Sequence, residues 1–209
     1  MLTEKQKEIT NQDGEVTKKK KQMTGESTAE PLRKENDIKE MMWALGRTES
    51  GYRDKFMFLF GINTGLRISD ILALKVGQVR GKEHVTIKEQ KTKKIRTVEL
   101  MPIVEDIEEY TKGRNDEEWL FPSRKGNKPI TKVQAYRVLR KASETAGLDH
   151  IQISTHTMRK TFGYWHYQVN KDIAVLQEIL NHKDSSTTRR YIGIAQDEIK
   201  ASYQGFRVG

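Results

Sequence analysis

Cysteine is absent from the 209-residue chain. That excludes disulfides, thiolate zinc sites, iron–sulfur clusters and a cysteine nucleophile, and it fits a cytoplasmic protein. No apolar run approaches the ~18–20 residues that a bilayer-spanning helix needs, so no membrane partner is expected. The opening residues, Met1 to Lys5, run directly into charge, which is read here as the lack of a secretory signal. Also missing are a Walker-type glycine-rich loop, a His/Glu zincin spacing and any close cluster of aspartates. Phosphate chemistry in this protein is therefore expected to run with no metal and no nucleotide cofactor.

What is present is an excess of positive charge. Lys and Arg number 38 against 29 Asp and Glu, a balance of +9 that favours polyanionic partners, nucleic acid above all. Residues 1–30 hold as many acids (Glu4, Glu8, Asp13, Glu15, Glu26, Glu30) as lysines (Lys5, Lys7, Lys18 to Lys21). The excess therefore belongs to residues 31–209. With few large apolar residues and a four-lysine run, residues 1–34 are expected to form a disordered or flexible tail.

Beyond Pro31 the apolar periodicity predicts a chain that is mainly α-helical with one small antiparallel sheet, an α+β domain. Ile38, Met41, Met42 and Leu45 share one helix face behind a candidate cap, Asn36, and that helix should end at Gly46. Phe56 to Ile62 is apolar on every face, which predicts a buried helix stopped near Gly65. Val85 and Ile87, then Val98 and Leu100, alternate on either side of the polar stretch Glu89 to Lys94, which predicts a β-hairpin with a basic tip. Short helices are expected at 68–75 and 102–112, and further helices at 131–146, 157–169, 172–180 and 185–192.

Four strings hold the residues capable of phosphate chemistry: Thr64-Gly-Leu-Arg67-Ile-Ser-Asp70, Glu89-Gln-Lys91-Thr-Lys-Lys94, His156-Thr-Met-Arg159, and Leu180-Asn-His182 followed by Tyr191. His156 and Arg159 are three residues apart, and His182 and Tyr191 nine. In order and spacing these strings resemble the catalytic domain of the tyrosine recombinase (phage integrase) family, over about residues 35 to 195. Two departures are visible: Asn181 stands where the family commonly has Gly, and Asp70 where it commonly has Glu.

The resemblance implies the tyrosine recombinase catalytic fold and a site made of Arg67, Lys91, His156, Arg159, His182 and Tyr191, with Asp70 in support. Attack on a phosphodiester builds negative charge on the non-bridging oxygens, which two guanidinium forks and an imidazole can stabilise; Arg67, Arg159 and His182 take that part. Lys91 would protonate the departing 5′ oxygen, His156 would act as base, and Tyr191 would attack to form a 3′-phosphotyrosyl link. The lysine is chosen from a hairpin that also offers Lys88, Lys93 and Lys94. Trp165 is read as core packing, and Tyr203 is set aside as a nucleophile because no histidine precedes it at the required spacing.

The implied activity is site-specific cleavage and rejoining of double-stranded DNA for integration or excision of a mobile element. The alternatives are a type IB topoisomerase-like relaxing enzyme and a non-cleaving DNA-binding regulator. Residues 1–34 are too short and polar for the helical clamp domain that full-length members carry. A naturally short integrase, starting at Met1, is preferred to a catalytic fragment. A monomer in solution and a homo-tetramer on DNA are expected. Residues 196–209, with Ile199, Tyr203 and Phe206, are expected to form a short amphipathic helix exchanged between protomers, or else to pack back on their own domain.

Overall fold

A computed structural model describes residues 29–207. The chain opens with helices α1 (Glu35–Gly46), α2 (Gly51–Thr64) and the short α3 (Ile68–Ile71). Strands β1 (His84–Lys88) and β2 (Ile95–Glu99) follow, then α4 (Val104–Thr111), α5 (Lys132–Thr145), α6 (Thr155–Asn170), α7 (Ile173–Ile179), α8 (Ser185–Ile192) and α9 (Ala195–Ser202). The strands pair antiparallel, with Val85 opposite Val98 and Ile87 opposite Arg96. The predicted α+β class and most element boundaries are thus observed. Asn36 is not the first cap, because α1 already begins at Glu35 and its N-cap position is Lys34.

Two apolar cores lie along α6. The larger gathers α1, α2, α5 and the inner face of the hairpin around Phe58, Phe60, Leu66, Val85, Leu100 and Phe121. Met158 of α6 belongs to this core. The smaller is built from Leu176, Leu180, Ile192 and Ile194, with Phe162, Tyr164, Tyr167 and Tyr191 packed against it. One helix face switches from one core to the other within a turn, and Arg159 sits at the switch. Gly163 lets α8 come close: a Cβ there would lie 2.6 Å from Ile192 Cγ2. The approach matters because Ile192 follows Tyr191.

Residues 29–34, assigned above to the tail, pack against the domain. Leu32 is fully buried in the larger core. Its N–H donates to Thr161 Oγ1 at 2.9 Å, and its carbonyl accepts from Trp165 Nε1 at 2.9 Å. Arg33 adds a bond from Nη2 to the Gly193 carbonyl at 2.8 Å. Residues 29–34 are therefore part of the domain, held by buried Ala29, Pro31 and Leu32 and by backbone groups that α6 satisfies. The remainder of the tail, residues 1–28, lies outside the described residues. Trp165, read as core packing, is partly buried and spends its polar edge on this strap.

At the other end, Ile194 is buried in the smaller core, whereas Ile199, Tyr203 and Phe206 are each more than half exposed. Tyr203 and Phe206 meet edge-to-face with ring centroids 6.4 Å apart. The expected short helix is present as α9, and these three side chains do not pack into the described domain.

Because Leu32 fills a closed site in the larger core, Leu32→Ala is expected to lower the unfolding free energy by about 2–5 kcal/mol. Urea unfolding measures this; a loss below about 0.5 kcal/mol, the range of ordinary surface substitutions, would return residues 29–34 to the tail.

Candidate active site

The C-terminal end of α2 positions the first of the expected catalytic residues. Gly65 caps α2 in the left-handed conformation, at φ 61°, and a side chain there would strike Phe162. The chain then runs through Leu66 into α3, leaving Arg67 at the N-cap of α3. Across from it, the hairpin tip carries Lys91. A cleft of about 450 Å³ opens between them, lined among others by Arg67, Gln90, Lys91, Lys132, His156 and Arg159. Four of the six expected catalytic residues thus share one opening.

Arg159 is the buried member, at 2% exposure. Its Nη1 donates to the Gly65 carbonyl and its Nη2 to the Leu180 carbonyl, each at 2.5 Å. Burial lowers its pKa to about 10, with the charge of Tyr191 acting the other way. It remains a cation at neutral pH. Tyr191, near the end of α8, is close enough to Arg159 for the two charges to interact and lies under Lys160, whose Nζ is 5.1 Å from the ring centroid. Burial nonetheless raises the Tyr191 pKa, with Arg159 and Arg67 opposing that rise. In the absence of DNA the phenol therefore keeps its proton.

His182 meets Tyr191 edge-to-face, with ring centroids 4.9 Å apart. Burial, then the charges of Arg159 and Arg67, lower its pKa to about 4. Its Nδ1 lies 3.1 Å from Thr188 Oγ1, and the Thr188 hydroxyl donates to the Asp184 carbonyl at 3.2 Å. With the hydroxyl proton so used, the network assigns the ring proton to Nδ1 and leaves a lone pair on Nε2. His156 keeps an exposed edge. Desolvation by the surrounding protein, then the charges of Lys160, Arg159, Lys91 and Arg67, hold its imidazole below the ordinary range.

Glu89 opens the polar stretch of the hairpin tip, yet its side chain is fully buried. Oε1 lies 2.7 Å from Arg67 Nη1 and 3.6 Å from Arg96 Nε. Oε2 accepts from Thr92 Oγ1 at 2.5 Å and from Asn181 Nδ2 at 3.0 Å. Burial by itself would raise the Glu89 pKa; the hydrogen bonds from Thr92, Asn181 and Arg67, with the Arg67 charge, win and bring it down to about 2. The signal was available in the sequence. Glu89 continues the inward parity of Val85 and Ile87, and Arg96 that of Val98 and Leu100. Asp70, the expected supporting residue, is buried and accepts the Gln90 N–H on Oδ1 at 2.8 Å. Among the described residues no group of three or more His, Cys, Asp or Glu side chains is placed to hold a metal ion.

Helices on a small sheet around a basic cleft define a catalytic-domain class that solved structures share. The crystal structure of XerA recombinase matches with a TM-score of 0.65 at 20% identity, covering 87% of this chain and 67% of that one. A lambda integrase dimer bound to a COC' core site matches with a TM-score of 0.63 at 14% identity, covering 80% and 60%. Residues 32–198 match the profile of the phage integrase family, and the chain belongs to that family. It is a tyrosine-type, site-specific DNA recombinase. The probable integrase/recombinase YoeC of Bacillus subtilis is 48% identical over 178 residues, 85% of this chain and 96% of that protein. Tyrosine recombinase XerA of Pyrococcus furiosus is 26% identical over 175 residues, and there the match spans 59% of the relative's length. No helix among the described residues is long and apolar enough to cross a membrane.

Glu89 gives this site a titration signature. Its folded-state pKa of about 2 lies below the ordinary 4.5. The ionised carboxylate therefore stabilises the fold above pH 4.5, and that contribution is lost as the pH falls through about 2. Glu89→Gln does not titrate, so the stability gap between wild type and variant should narrow across this window. Urea unfolding at stepped pH reads the gap, and one that widened on acidification would contradict the assignment.

Proposed function

We propose that this recombinase cuts DNA through Tyr191 and rejoins it to a new partner strand, for the integration or excision of a mobile element. The observation that carries the reading is the packing of Tyr191 against His182 and Lys160, next to a cleft that Arg67, Lys91, His156 and buried Arg159 line. An attacking oxygen and the cations that would neutralise a pentacoordinate phosphate thus adjoin.

In this reading Tyr191 Oη attacks phosphorus and its proton passes to a base. His156, held neutral by its surroundings, fills that role. The bond from phosphorus to the 5′ oxygen breaks as Lys91 protonates that oxygen. Arg67, Arg159 and His182 hold the non-bridging oxygens. The 3′-phosphotyrosyl bond conserves the phosphodiester linkage, so a 5′-hydroxyl from another strand can reverse the sequence and leave Tyr191 free. Asp70 supports the acid by anchoring the Gln90 N–H next to Lys91.

The reaction takes place in the cytoplasm on double-stranded DNA, with a monomer in solution assembling as a homo-tetramer on two duplexes. Ile199, Tyr203 and Phe206, all exposed, supply the apolar face that a neighbouring protomer covers in that assembly.

Because no target sequence is known, substrates are first selected from a randomised duplex library by covalent capture on the wild-type chain, then nicked so that cleavage traps the adduct. Tyr191→Phe is expected to abolish the adduct with unchanged melting temperature and DNA affinity. Persistence of the adduct, or its transfer to Tyr203, would refute the nucleophile.

Removal of residues 196–209 is expected to impair strand exchange at least about tenfold more than cleavage of a single nicked duplex. Equal losses in both assays, with a lowered melting temperature, would show that the segment only completes the monomer.

A further inference from the structure

We infer that Asn181 is a positioning residue: its side-chain amide latches the Lys91 hairpin onto the turn that presents His182. The inference rests on the reading of Lys91 as the general acid.

The turn between α7 and α8 requires a left-handed residue, and Asn181 occupies it at φ 49°. Glycine adopts this conformation without strain, and Asn tolerates it better than most residues. Backbone conformation alone therefore does not select Asn over Gly here. The side chain does. Nδ2 donates to Glu89 Oε2 at 3.0 Å, and Oδ1 accepts from Lys94 Nζ at 3.2 Å. A carboxylate on one end and an ammonium on the other fix which end of the amide is nitrogen. Glycine can make neither bond.

Glu89 and Lys94 are the two ends of the hairpin tip. They are joined by hydrogen bonds from Glu89 N–H to the Lys94 carbonyl and from Lys93 N–H to the Glu89 carbonyl, both 2.9 Å. Thr92 folds back onto the same carboxylate, and Asp70 holds the Gln90 N–H. Lys91 thus sits in a loop whose two ends are both gripped by Asn181. The grip reaches the phosphate-binding groups as well, since Glu89 also pairs with Arg67 at 2.7 Å and Asn181 directly precedes His182. A tip held at both ends presents its ammonium to a leaving oxygen at a fixed place, and displacements of about 1 Å in such a group can cost ~10²-fold in rate.

The test compares single-turnover cleavage of two captured DNA substrates, one an ordinary phosphodiester and one with sulfur bridging at the 5′ position, whose thiolate leaves without a proton. Asn181→Gly preserves the turn and removes only the latch. It should slow the ordinary substrate by about 10- to 100-fold and leave the sulfur substrate near the wild-type rate. Because the same folded molecules cut both, any loss of stability cancels in the ratio. Lys91→Ala is the control, expected to lose ~10²–10⁴-fold on the ordinary substrate and to be rescued by sulfur. Rescue of Lys91→Ala, with Asn181→Gly slowing both substrates equally or neither, overturns the latch alone. A Lys91→Ala defect that sulfur does not rescue overturns the general-acid reading, and the latch with it.

Discussion

Removing a guanidinium from water is expensive unless its donors are met. Arg159 meets that condition with the carbonyls of Gly65 and Leu180, and the choice of these two partners organises the site. Gly65 lies two residues before Arg67, and Leu180 two residues before His182. A single planar group therefore ties down both turns that deliver Arg67 and His182. Because Arg159 sits where α6 passes from the larger core to the smaller, it also joins the bodies that carry the two turns. Loss of this side chain would leave two buried carbonyls without partners, so its structural and chemical roles do not separate.

The same burial governs the site's charge. Arg67, Arg96 and Arg159 repel one another, as the lowered pKa values of Arg96 and Arg159 reflect after burial itself. Glu89 offsets the first two directly. His182 and Tyr191 answer by staying neutral. Such a site is incomplete until an anion arrives. A bound phosphodiester supplies the missing negative charge and favours protonation of His182 on Nε2, the position its Thr188 bond leaves open. It competes with Glu89 for Arg67 as well. Ligand charge and site charge are thus coupled through groups already in contact before DNA binds.

Much of this was legible in the sequence because period and spacing are local. The 3.6-residue repeat in α1 and α5, the period-2 alternation in the hairpin, and the spacing from His182 to Tyr191 all survive unchanged in the structure. What escaped depended on long-range partners. Leu32 lies in a polar stretch, and only its fit beneath α6 removes it from solvent. Asn181 registered as a departure from Gly, but its partners, Glu89 and Lys94, are about 90 positions away in the chain. Glu89 is an intermediate case. Its inward parity could be read, yet the polarity of the tip argued for exposure, and burying it became favourable only because Arg67 and Asn181 converge on it.

The two reacting ends of the site rest on supports of different size. The hairpin that carries the proposed acid is backed by the larger core through Val85, Ile87 and Val98, and is tied by Glu89. The helix that carries the proposed nucleophile, α8, is backed by a core of four fully buried residues, of which it supplies Ile192. Opening free energy rises with the apolar area an element buries, so α8 is the element that opens at lower free energy. Gly163 adds to this asymmetry. It permits close seating against Ile192 but contributes no side chain to the contact. In the proposed reaction, a phosphate held by Arg67 and Arg159 can thus stay in place while Tyr191 approaches or withdraws. The phosphorus–Tyr191 bond breaks as the new strand's 5′ oxygen bonds to phosphorus, and a helix that opens easily lets the freed phenol withdraw.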